Sequence, residues 1–115
     1  MLEATYKMSD ADKQMIVDFQ KKIIDEYASF LKTIRNYTKE EIIENAIKIA
    51  FMQVMRDYLV DNYDLSLRQI NELSHEYNLL QQCYKAYKKD GCDLFGFFEY
   101  SGMDILKLTM KDDDF

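Results

Sequence analysis

The sequence contains no proline, and its three glycines all lie at or after Gly91. Proline and glycine are the residues that interrupt helices most strongly. Residues 1–90 are therefore free of the usual helix breakers, and apolar residues recur there at helical spacing. This composition predicts an all-α fold and leaves no glycine-rich loop that could hold a phosphate group.

Histidine and cysteine are equally scarce, since His75, Cys83 and Cys92 are the only ones. Residues 72–75 match the Glu-x-x-His element of di-iron bundles, but that site needs the element twice. The two cysteines and one histidine do not supply the ligands of a zinc site. We predict no metal, no cofactor and no catalytic residue, and we expect the cysteines to be free thiols that fill the core.

The sequence also lacks any apolar run approaching the ~20 residues of a membrane span. Residues 1–15 carry no apolar segment of the kind found in signal peptides. We therefore expect a cytoplasmic protein that does not enter a membrane. The net charge of −6 argues against direct binding of nucleic acid, which requires a basic surface, and favours a protein partner whose surface is basic.

The 115 residues correspond to one domain, and a hydrophobic content of 48% is enough to fill its core. Residues 1–111 are predicted to form this single helical domain. Residues 112–115 are predicted to form an acidic tail, with a disordered run of three aspartates.

A central helix is predicted from Thr38 to Tyr63. Thr38 and Glu41 fit a capping box, in which each side chain binds the backbone N–H of the other residue. One apolar face of this helix is predicted to lie in the core, and it consists of Ile43, Ile47, Ala50, Phe51, Val54 and Tyr58. For a second apolar group we favour the core over a partner contact, and this group consists of Met52, Met55 and Leu59.

Other helices are predicted on either side of it. An amphipathic helix near residues 10–35, capped at Ser9 to Asp12, should pack antiparallel to the central helix. A capping box at Ser66 starts a short helix, and Asn78 is a candidate cap for the next one; a single helix over 66–89 is the alternative. Residues 92–110 are left open between short helices and an extended segment. The expected architecture is a compact bundle of four to five helices around a buried central helix.

Carboxylates alternate with tyrosines where the central helix ends. Tyrosine is a frequent interface residue, and carboxylates can occupy a basic groove meant for nucleic acid. The alternative is a solvated acidic surface with half-buried tyrosines. Three phenylalanines within residues 95–98 also require burial, either in the core or against a partner. The candidate partner-binding residues are Asp57, Tyr58, Asp61, Tyr63, Asp64, Phe97 and Phe98.

Two stretches carry a resemblance to known proteins. The Ile/Lys/Asn/Tyr-rich stretch Glu40–Tyr63 and the run Leu65–Leu73 resemble small acidic helical proteins of phages and mobile elements of low-GC Gram-positive bacteria. That class includes inhibitors of host defence nucleases, among them anti-CRISPR proteins. The resemblance implies a non-enzymatic inhibitor.

Two other functions are kept as alternatives. The first is a helix-turn-helix regulator that uses residues 66–89, with a second helix bearing Gln81, Gln82, Tyr84, Lys85, Lys88 and Lys89. The second is a small helical enzyme whose activity depends on His75.

Overall fold

A computed structural model describes residues 8–61, 64–90 and 101–115. All regular structure in these residues is helical, which confirms the all-α prediction, and the number of helices exceeds the predicted four to five. The six helices are α1 (Asp10–Ile34), α2 (Lys39–Glu44), α3 (Ala46–Asp61), α4 (Leu67–Ser74), α5 (Leu79–Lys89) and α6 (Gly102–Met110). Among the described residues, no helix has both the length and the apolar character needed to cross a bilayer.

Helix α1 begins as predicted, with the Ser9 side chain accepting a hydrogen bond of 3.0 Å from the Asp12 backbone N–H. Its first half lies beside the end of α3, since the Gln20 side chain donates to the Val60 carbonyl oxygen over 2.9 Å. Phe30, near the other end of α1, lies beside Lys48 at the start of α3. The two helices are therefore antiparallel, as the short connection after α1 predicts.

The predicted capping box at Thr38 is confirmed, with hydrogen bonds of 3.1 and 2.9 Å between Thr38 and Glu41. The prediction of one continuous helix after it is wrong, because the backbone departs from helical geometry at Asn45 (φ −104°, ψ 16°). The Asn45 side chain donates to the Glu41 carbonyl oxygen over 2.8 Å, and such local bonds compete with the helical ladder. The six residues of α2 bury no side chain, so the central helix is α3 alone.

The buried side of α3 differs from the predicted one. The prediction that Met52, Met55 and Leu59 lie in the core is confirmed. Together with Phe51, they are the buried residues of α3. The predicted core face is wrong for four of its six members, because Ile43, Ile47, Ala50 and Val54 are exposed. The physical reason is that α1, α5 and α6 pack against the Met55 side of α3, and no described helix covers the opposite side.

Two helices, and not one, form over residues 66–89. The capping box of α4 is confirmed, with the Ser66 and Gln69 side chains each binding the other's backbone N–H. Asn78 is at the N-cap position of α5, but it has a left-handed backbone (φ 53°) and its side chain makes no capping bond. The first turn of α5 is instead bound by a distant residue, because the Glu26 carboxylate on α1 accepts from the Leu80 N–H over 2.9 Å.

The C-terminal part is more ordered than predicted. Ser101 and Asp104 form a further capping box, and residues 102–110 are helical. Asp112 to Asp114 are exposed but form a turn, and Phe115 behind them is buried with 5% of its surface accessible. The Gln69 side chain donates to the Phe115 carbonyl oxygen, so the predicted tail packs onto α4.

Candidate functional site

The structure describes four of the seven candidate partner-binding residues. Asp57, Asp61 and Asp64 are exposed at the end of α3 and just beyond it, and Tyr58 is half-buried. Tyr63, Phe97 and Phe98 lie outside the described residues. The acidic end is defined here as Asp57, Asp61 and Asp64.

The three carboxylates of the acidic end are not equivalent. Asp57 accepts hydrogen bonds from the Arg56 guanidinium, which partly compensates its charge. Among the described residues, no side chain donates to Asp61 or Asp64. Asp57 and Asp61 are four residues apart on α3 and therefore lie on one side of the helix. The negative charge most available to a partner is consequently that of Asp61 and Asp64.

Tyr58 packs against α6, and its hydroxyl is within reach of the charge of Asp64. A Cβ atom at Gly102 would lie 2.5 Å from carbon atoms of the Tyr58 ring, so the ring is packed against the start of α6. Its hydroxyl is buried and has no hydrogen-bond partner among the described residues. Burial, followed by the charges of Asp64 and Asp104, raises the pKa of the Tyr58 hydroxyl. The geometry gives Tyr58 a role in joining α3 to α6.

Both cations of α3 are held against aromatic rings. The Arg56 guanidinium lies 4.5 Å from the centre of the Tyr27 ring on α1. The Lys48 ammonium lies 5.8 Å from the Phe30 ring and 5.3 Å from the Tyr84 ring, and burial followed by the nearby charge of Lys88 lowers its pKa. Such cation–π contacts direct positive charge towards α1 and α5. Of the two carboxylates on the outer side of α3, Asp57 is paired with Arg56, and Asp61 has no lysine or arginine bound to it among the described residues.

Four exposed apolar residues lead into the acidic end. We define the outer stripe as Ile43 (66% exposed), Ile47 (39%), Ala50 and Val54 (54%). The spacings of three and four residues place Ile47, Ala50 and Val54 along one side of α3, and Ile43 lies on α2 before the break at Asn45. Asp57 and Asp61 continue the same spacing, so one side of the helix changes from apolar to acidic along its length. The sequence pattern identified these apolar residues but assigned them to the core.

A group of exposed lysines lies elsewhere, on α5. Three of the six side chains assigned to a recognition helix are exposed, namely Lys85, Lys88 and Lys89. The others are partly engaged, since Gln82 donates to the Tyr77 carbonyl oxygen and Tyr84 packs edge-on against Phe51. Lys85 and Lys89 line an open groove of about 520 Å³ between α5 and α6, together with Lys111.

Neither His75 nor Cys83 is placed for catalysis with another described residue: His75 lies at a helix end, and Cys83 lies in the core. His75 is exposed at the C-terminal end of α4, with its Nδ1 atom 2.7 Å from the Asn71 carbonyl oxygen. Cys83 is fully buried, and this burial raises the pKa of its thiol to about 12, so the thiolate that nucleophilic chemistry requires does not form at neutral pH. Within the described part of the chain, no group of three potential ligands is placed to hold a metal ion. Cys92 lies outside the described residues.

The chain matches no protein-family model, and neither a curated protein nor a solved structure shows significant similarity to it.

Proposed function

We propose that this chain is a non-enzymatic protein-binding protein that inhibits a nucleic-acid-binding nuclease, in the manner of an anti-CRISPR protein. In this proposal the acidic end of α3 occupies a basic groove that otherwise holds nucleic acid. The observation that carries the proposal is the exposure of Asp61 and Asp64 at the end of α3 and just beyond it, with no described cation bound to either, while Lys48 and Arg56 lie against aromatic rings and Arg56 also binds Asp57.

Three further features support it. The net charge of −6 gives the chain a long-range attraction to a basic partner. Asp61 and Asp64 have no described donor to displace, so binding need not break an existing ion pair. The stretches Glu40–Tyr63 and Leu65–Leu73 resemble small acidic helical proteins of phages and mobile elements, and that class includes inhibitors of host defence nucleases.

The test is a nuclease assay with purified CRISPR effectors. Each effector is mixed with the chain before DNA is added, and cleavage and complex formation are measured at low and high salt. We expect inhibition that weakens as salt rises, because exposed charges are screened by ions. The Asp61→Lys/Asp64→Lys variant should lose inhibition by about tenfold or more, since like charges then face each other across the interface.

A matched control is available on α1. Asp18→Lys/Asp25→Lys makes the same change in net charge at two exposed positions of another helix. This control should keep most of the inhibition if the acidic end is the contact surface. Equal loss of inhibition in both variants would mean that net charge alone causes the inhibition. Inhibition that does not change with salt would refute the groove-occupying mechanism. Direct binding of DNA that depends on Lys85, Lys88 and Lys89 would favour the helix-turn-helix regulator instead.

A further inference from the structure

The outer stripe is a contiguous apolar surface. Single exposed apolar residues are normal on soluble proteins and need no explanation. Here Ile47, Ala50 and Val54 follow one side of α3, Ile43 precedes them on α2, and all four side chains are exposed. A contiguous patch of this kind, bordered by charged residues, is typical of a protein-binding surface.

The spacing of the outer stripe suits a helix as the element that covers it. Within α3, the steps of three and four residues from Ile47 to Ala50 and Val54 are those of a coiled-coil seam, in which each apolar side chain enters a gap between side chains of a facing helix. Asp57 and Asp61 extend the seam by steps of three and four. A facing helix that covers the stripe would therefore run on past two carboxylates.

A second copy of this chain fits the surface poorly. Antiparallel pairing of two outer stripes sets Glu40 or Glu44 of one copy opposite Asp57 of the other, depending on the register. Parallel pairing sets each Asp57 and Asp61 beside its own counterpart. Parallel pairing therefore brings like charges together, and antiparallel pairing does so in the registers that oppose Asp57 to Glu40 or Glu44, which is unfavourable. Lys48 is the cation nearest to the stripe in sequence, and its ammonium group is held against the Phe30 and Tyr84 rings on the inner side of α3.

We infer that the outer stripe and the adjoining carboxylates of Asp57 and Asp61 bind an amphipathic helix of the partner, with apolar residues at its seam and lysine or arginine beside them. The inference rests on the proposed protein-binding function and adds a binding mode to it. Apolar contact with Ile47, Ala50 and Val54 supplies affinity, and pairing of basic residues with Asp57 and Asp61 fixes the direction and register of the bound helix.

Three synthetic peptides test the inference. The first carries leucine at the seam and lysine on both flanks, the second replaces the lysines by glutamate, and the third keeps the lysines but replaces the seam leucines by serine. Binding to the full chain is measured by isothermal titration calorimetry. We expect only the first peptide to bind well, with affinity for the other two lower by about tenfold or more.

Matched variants locate the contact on the chain. Ile47→Gln/Val54→Gln removes two residues of the outer stripe, and Val17→Gln/Ile24→Gln removes an isoleucine and a valine at the same separation on α1. All four side chains are at least 39% exposed, so both variants should fold like the parent chain. The stripe variant should bind the first peptide about tenfold more weakly, and the α1 variant should bind it unchanged.

Several results would overturn the inference. Equal weakening in both variants would mean non-specific adhesion of the peptide. A loss of thermal stability confined to the stripe variant would mean that the chain itself covers the stripe. A dimer of the parent chain in sedimentation equilibrium that dissociates in the stripe variant would identify a second copy as the occupant.

The proposed function and the helix-binding mode can fail separately. Equal binding of the first and third peptides, lost in Asp61→Lys/Asp64→Lys, would support the acidic surface and refute the helix-binding mode. Nuclease inhibition that persists in the stripe variant would refute that mode as well. Inhibition of no effector, with seam-dependent peptide binding intact, would refute the nuclease target and leave the helix-binding mode standing.

Discussion

The Tyr58 ring occupies the space that a side chain at position 102 would need, and Gly102 leaves that space open. A Cβ atom on Gly102 would lie 2.5 Å from three carbon atoms of the Tyr58 ring, closer than real Cβ contacts come. The ring thus lies directly over the first residue of α6 and joins this helix to α3. The missing side chain at Gly102 sets the closest approach of the two helices.

Gly102→Ala should destabilise the chain. Alanine normally stabilises a helix relative to glycine by about 0.5 kcal/mol or more, but here the added methyl group forces the ring to move, at a cost of about 1–3 kcal/mol. Urea unfolding followed by circular dichroism measures the change. The control is the same substitution in a Tyr58→Ala background, where the obstacle is gone and alanine should be neutral or stabilising. Destabilisation of equal size in both backgrounds would contradict the contact.

Cys83 should resist alkylation in the folded chain. Its thiol is fully buried with a pKa of about 12, so at pH 8 it is neither accessible nor ionised. In a Cys92→Ser background, mass spectrometry after iodoacetamide treatment should find Cys83 unmodified without urea and modified with it. Rapid labelling of the folded chain would contradict the burial.

The raised pKa of the Cys83 thiol should also lower the free energy of unfolding in alkali. The pKa of Cys83 is raised in the folded state, so its neutral form is favoured there, while an unfolded thiol ionises near pH 9.0. The stabilising contribution is complete below pH 9.0 and decreases as the pH rises towards 12, by up to about 1.4 kcal/mol per pH unit. Urea unfolding from pH 8 upwards should therefore give a shallower decline for Cys83→Ala than for the parent chain. Parallel declines would refute this linkage.

Glu26→Ala should destabilise the chain through α5. The carboxylate of Glu26 accepts from the Leu80 N–H, and its loss leaves a part-buried donor unsatisfied at a cost of about 1–2 kcal/mol. Glu26→Gln keeps an acceptor oxygen and should retain most of the stability. Lys22→Ala removes the ion pair of Glu26 while leaving the cap, so its effect should be smaller. A larger loss in Lys22→Ala than in Glu26→Ala would show that the ion pair is the dominant contact.

Phe115 should contribute measurably to stability. Its side chain is buried, and its carbonyl oxygen accepts from the buried Gln69 side chain. Phe115→Ala should cost about 3 kcal/mol, as expected for the loss of a buried aromatic ring. Asp113→Asn, at an exposed position of the same turn, should change stability by less than about 0.5 kcal/mol. If both substitutions change stability by a negligible amount, residues 112–115 behave as the disordered tail predicted from the sequence.

The parts of the fold predicted correctly depend on local sequence. The caps at Ser9, Thr38 and Ser66 were recognisable because both partners of each cap lie within three residues. The composition predicted the fold class for a similar reason, since proline is absent and glycine is scarce. Local hydrogen bonds and helix propensities do not depend on how the helices later pack.

The errors arose where several faces of a helix were apolar. In α3, the stripe containing Ile47 and Val54 and the row containing Met55 and Leu59 have the same helical periodicity, so periodicity alone could not rank them. Packing of α1 and α5 decides which one is buried. The cap supplied by Glu26 was equally hidden, because its partner Leu80 lies 54 positions further along the chain.

The bond between Glu26 and Leu80 has a consequence for the order of folding. Helix α5 has eleven residues, and no side chain at Asn78 caps its first turn, so in isolation it is too short to persist in water. Its first turn is completed only when α1 has docked beside it. During synthesis α1 emerges before residues 79–89. Helix α5 therefore forms against the side of α1 that carries Glu26. Because this contact is completed late, substitutions at Glu26 should speed unfolding and leave the folding rate nearly unchanged.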